Sequence, residues 1–206
     1  MTQAYVSMLE RGRRVVSRSA VRRVLQKLDV PPTALPLREK PNRSASPSDF
    51  LRDELAALGY PGFAYLHRGR RARHNPADVL FTALDESDLD VRVVEGLPWL
   101  ALTFADLDWN WLVRNAKLHD RQNRLGFTVT LAKELARRVG DQTRVDNLSQ
   151  KERLLQPSLL AKEDTYCHDS LTQVERDWLR EHRPPEARKW NMLSDLNVEH
   201  LSHAIS

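Results

Sequence analysis

The 206-residue chain is long enough to bury a core without disulfides or metals. Its 41% hydrophobic and 29% charged residues are ordinary for a globular protein, and no apolar run approaches the roughly 18 residues of a membrane span. A lone Cys167 excludes a disulfide framework and a cysteine-built zinc site.

The opening MTQAYVSMLERGRR has no apolar h-region, so a cytoplasmic protein is expected, with no membrane partner. The net charge of +4 is unevenly placed. Residues 1–43 hold ten Arg and Lys against three acids, a net +7, which leaves −3 for the rest. A basic head on a mildly acidic body favours a polyanion at one end, although a solvated charged face explains it too.

In chain order, residues 2–28 are helical in pattern. A linker over residues 30–48 follows, with five of the eleven prolines, and is expected to be extended. Ser46-Pro47-Ser48-Asp49 reads as a helix start, opening a helix that carries Phe50, Leu51, Leu55 and Leu58 and stops at Gly59. Asn75-Pro76-Ala77-Asp78 is a second start of the same kind. Between them HRGRRARH, residues 67–74, reads as a basic hairpin or loop.

From Asp90 short helices follow one another. Pro98 should bend or restart the first. Asp106 or Asp108 caps the next, Asp120 caps a longer helix over residues 121–139, and residues 147–162 are helical around Pro157. Ser170 is expected to cap the helix that Pro184-Pro185 stops. The tail carries Trp190, Met192, Leu193, Leu196, Val198, Leu201 and Ile205, which must be buried on the chain's own body or on a partner.

The fold class expected is all-α: a multi-helix bundle or short solenoid-like array with a basic N-terminal helical segment and at most one small hairpin near residues 60–75. The divisions expected are a basic segment with its linker over residues 1–45, a helical core over 46–145 and a helical extension over 146–206.

Constellations that suggest catalysis each have a plainer account. Tyr166-Cys167-His168-Asp169 puts nucleophile, base and orienter types side by side, whereas catalytic groups converge from different elements. Asp85, Glu86, Asp88 and Asp90 lack the glycine and spacing of a calcium loop. His119-Asp120 reads as a helix joint. No phosphate-binding loop, GxGxxG, HExxH or GxSxG motif occurs. No catalytic residue, no cofactor and no metal are expected, and an enzyme ranks last.

Residues 16–28, VSRSAVRRVLQKL, put Ser17 at an N-cap and Val21, Val24, Leu25 and Leu28 on one stripe. Arg18, Ser19, Arg22 and Arg23 are left outward, where arginine grips phosphate or guanine edges. This run resembles the recognition helix of winged helix-turn-helix repressors in Ser17, Arg18, Val21, Arg22, Arg23 and Leu25. The resemblance implies DNA binding through Arg13, Arg14, Ser17, Arg18, Ser19, Arg22, Arg23 and Lys27, with Arg70 and Arg71 as a basic wing.

A second candidate surface is the aromatic and polar run over residues 107–127, where Trp109, Trp111, Arg121, Asn123 and Arg124 are candidate partner contacts. Trp190, Leu193, Leu196 and Leu201 of the tail are the others. Leu97-Pro98-Trp99-Leu100, Leu107-Asp108-Trp109 and Asn123-Arg124-Leu125-Gly126-Phe127 resemble antitoxin-side proteins encoded beside AbiEii-type nucleotidyltransferase toxins. That resemblance implies a DNA-binding autoregulator that binds a cognate toxin, and it leaves room for a homodimer. A helical module that binds only protein is the alternative.

Overall fold

A computed structural model describes residues 3, 7–8, 30–37, 46–66 and 72–205. Eight α-helices occupy the described residues: α1 (Pro47–Leu58), α2 (Pro76–Asp85), α3 (Val91–Thr103), α4 (Trp109–Leu118), α5 (Gln122–Arg138), α6 (Gln142–Leu155), α7 (Gln173–His182) and α8 (Pro185–Lys189). Two strands of two residues each, β1 (Asp164–Thr165) and β2 (Met192–Leu193), pair in parallel. The protein is mostly helical, as its patterning requires.

The starts follow local chemistry. Asn75 accepts from Ala77 N, and Asp90, Asp108 and Asp141 accept from Arg92, Trp111 and Arg144 N, which satisfies orphan donors of α2, α3, α4 and α6. Asn75 also donates from Nδ2 to Thr33 O and Leu35 O, both at 2.7 Å, which ties the proline-rich linker to α2. Gly59 closes α1 with φ of +96°, a conformation open to a residue without Cβ.

Several details differ from expectation. The helix expected over residues 147–162 runs over Gln142–Leu155, with a 3-10 turn at Pro157 after it. Pro98 sits inside an unbroken α3. Its missing donor costs one helical hydrogen bond, offset by burial of Val93, Leu97 and Leu100 around it. Asp120 does not cap α5; it takes φ of +58° at the joint, and α5 starts at Gln122 with no side-chain cap. Thr172, not Ser170, caps α7 in a reciprocal box with Glu175. Near residues 60–75, Pro61–Leu66 is a 3-10 turn, and the two strands lie far along the chain.

Helix α5 is the centre. Fourteen of its seventeen residues are buried, so it is wrapped on all sides rather than along one stripe. Helices α3 and α6 are its main neighbours, with α4, α8 and both strands completing the wrap. One apolar core runs from Leu51 in α1 through Leu97, Phe127 and Leu155 to Trp190, Leu201 and Ala204. Residues beyond 146 therefore share the core of those before it. Among the described residues no helix is long and apolar enough to cross a membrane.

Candidate functional site

Helix α7 is built as an amphipathic element but buries only part of its apolar stripe. Leu179 packs inward, while Val174 is 79% and Trp178 51% exposed. The Trp178 ring is held in place by parallel stacking on His182, with centroids 4.3 Å apart. Opposite stands the first turn of α3, with Val91 also 63% exposed. Leu193 of β2 and Leu196 after it also line the groove. Together with Leu89, Val94 and Leu171 these residues line an open cavity of about 590 Å³, within the size range of ligand and peptide sites.

The floor is formed by Tyr166 and Cys167. Leu89 N donates to Cys167 O at 3.0 Å and Asp169 N to Ser87 O at 2.9 Å, which stitch the floor to the joint between α2 and α3. Beneath it lies Arg124 of α5. Its Nε and Nη2 donate to Asp164 at 2.8 and 2.9 Å, Nη2 also to Asp169 at 3.1 Å, and Nη1 to Leu84 O and Glu86 O. Burial opposes the charge, but the bonds to Asp164 outweigh it and raise the guanidinium pKa above its ordinary value. Arg124 thus joins both segments that underlie the groove.

Cys167 borders the cavity yet is fully buried, and its thiol donates to Ala83 O at 3.3 Å. Burial pushes that thiol up to about 12, so it is no nucleophile near neutrality. His168 is exposed at the rim and Asp169 turns to Arg124, so the Tyr166–Asp169 run diverges in space. Among the described residues no group of three or more His, Cys, Asp or Glu is placed to hold a metal ion.

The rim carries two acids. Glu175 and Asp195 border the cavity, and neither is ion-paired with a described residue. The hydrogen bonds from Thr172 hold the Glu175 carboxyl below the usual range, so it is ionised at neutral pH. Three arginines lie nearby, and Arg176 keeps its charge because its acceptors are backbone carbonyls. Arg176 binds Leu171 O and Asp169 O, Arg180 binds Glu163 and Asp177, and Arg183 binds Glu163 and Met192 O.

The candidate residues read from the sequence fall elsewhere or only at the edge of this groove. Arg13, Arg14, Ser17, Arg18, Ser19, Arg22, Arg23, Lys27, Arg70 and Arg71 lie outside the described residues. Asn123 and Arg124 are each 1% exposed and bind the chain itself, Asn123 through Leu160. Trp109 is buried, Trp111 is half-buried against Phe81, and Arg121 pairs with Asp85 at 3.3 Å.

In the tail, Trp190 and Leu201 are core, so the tail docks on its own body. Only Leu193 and Leu196 reach the cavity wall. Val91, Val174 and Trp178 escaped the sequence reading. Val174 and Trp178 share one face of a capped helix at four-residue spacing, a signal that marks a stripe but not whether it is covered.

No protein-family model matches the chain, and neither a curated protein nor a solved structure matches it.

Proposed function

We propose that the chain is an antitoxin-like regulatory protein that holds a cognate partner protein in the α3–α7 groove and binds its own promoter DNA through residues 13–27. One observation carries the partner half of this reading. Val91, Val174 and Trp178 leave a continuous apolar surface open beside a formed cavity, where scattered exposed apolar residues are the norm elsewhere. Tryptophan at such a site supplies much of an interface's energy, and burying each large side chain contributes about 1.5–3 kcal/mol. The +7 charge of residues 1–43 supports the DNA half.

The test is capture of the adjacent gene's product by the full chain, measured by titration calorimetry with the wild type and with Trp178→Ala. Half-exposed Trp178 can be truncated without emptying the core, so the variant should melt like the wild type. Its affinity should fall by roughly tenfold or more. A wild-type chain that does not bind this product, at concentrations up to about 100 μM, sinks the partner reading.

A further inference from the structure

We infer that His182 is a positioning residue of the groove: it does not border the cavity, and it sets the affinity for the partner by fixing the Trp178 ring before the partner arrives. The inference rests on the partner reading above and adds to that site a residue that its lining does not show.

The geometry comes from one helix face. Val174, Trp178 and His182 follow one another at four-residue spacing along α7. Helical side chains lean toward the N-terminus, which lays each over the turn before its own. His182 thus comes onto Trp178 from the C-terminal side. The two rings lie 9° from parallel with centroids 4.3 Å apart. His182 Nδ1 stands 2.8 Å from Trp178 O, and since a carbonyl only accepts, Nδ1 carries the hydrogen and donates. That bond fixes the imidazole, and the stack fixes the indole. Trp178 borders the cavity and His182 does not, so the imidazole holds the indole without taking a place in the groove.

The consequence for binding is preorganisation. A side chain that is 51% exposed is not locked by core packing, and staggered rotamers compete for it. Ordering one such side chain on association weakens binding by roughly two- to tenfold. With His182 in place the indole is ordered in the free chain already, and the partner meets a preformed surface.

The experiment uses the full chain and compares wild type with His182→Ala and His182→Phe. The first removes the stack; the second restores an aromatic face without the Nδ1 bond. His182 is exposed at the last residue of α7, so both variants should melt like the wild type. Two quantities are read. One is the order of the Trp178 indole N–H in the free chain, by nitrogen relaxation in NMR. Its signal, among those of five tryptophans, is assigned by its loss in Trp178→Phe. The other is affinity for the adjacent gene's product, by titration calorimetry.

His182→Ala should lower the order of the indole and weaken binding roughly two- to tenfold. His182→Phe should bring both back close to the wild type. An indole as ordered in His182→Ala as in the wild type overturns the inference, and so does a freed indole with unchanged affinity. Equal weakening by Ala and Phe makes the imidazole a direct contact of the partner and overturns it as well. Absence of wild-type binding removes the partner reading itself, and the order of the indole in the free chain then still decides whether His182 holds the ring.

Discussion

Glu152 shows how much a single buried charge is asked to do. It is almost covered, and Lys133 of α5 and Lys189 of α8 each approach it at 2.7 Å, with the Thr130 hydroxyl at 2.5 Å. Burial alone would raise its pKa. The bonds from Lys133, Lys189 and Thr130 outweigh that and hold it at about 2, against an ordinary 4.5. A depressed folded-state pKa contributes stability that is complete above the unfolded value. It is lost as pH falls from about 4.5 to about 2. Glu152→Gln should therefore cost roughly 3 kcal/mol at pH 7, and the gap to wild type should close near pH 2. Urea denaturation at a series of pH values reads this directly; a gap that stays constant with pH would refute the assignment.

Arg124 belongs to the same scale and explains a misreading. In sequence it stands in a polar run between apolar stripes and looks like surface. Its acceptors at Asp164, Asp169, Leu84 and Glu86 come from about 40 residues away on either side, beyond anything local spacing reports.

At the scale of elements, legibility divided by the range of the interaction. Caps act over two or three residues, so Asn75-Pro76 marked its helix, and of Asp106 and Asp108 it is Asp108 that caps; Ser46-Pro47 marked its helix start although Ser46 makes no side-chain cap bond. Pro98 did not break α3 because a burial that spans several elements outweighed a one-bond defect.

The tail was legible as apolar but not as to what covers it. Its answer lies in Gly126: a Cβ there would meet the Trp190 ring, and the indole Nε1 donates to Thr130 Oγ1 at 2.7 Å. Trp190 is thus keyed to a notch in the central helix. Replacing it with Ala should cost about 3–5 kcal/mol and lower the melting temperature of the whole chain, because core and tail unfold together. A variant that melts like the wild type would return the tail to the role of a partner-binding arm.

At the scale of the whole molecule, charge and apolar surface are segregated along the chain. Residues 1–43 carry +7, residues 44–206 carry −3, and the open apolar groove lies in the second part. If the two proposed functions are separate, they can be removed one at a time, which tests the proposal. Replacing Arg18, Arg22 and Arg23 with Ala takes three charges from the basic segment.

If these arginines meet phosphates, each lost contact makes the slope of log affinity against log salt shallower by about 0.9. Where one also reads a base, about 1–3 kcal/mol goes with it. The triple variant should lose promoter DNA in a gel shift at about 50 mM salt, keep its melting temperature, and bind the adjacent gene's product as the wild type does. Retained DNA binding with an unchanged salt slope would make the arginines a solvated face and the protein a module that binds only protein. Loss of both DNA and partner would mean that the two surfaces are one, and the groove would no longer stand apart from the basic segment.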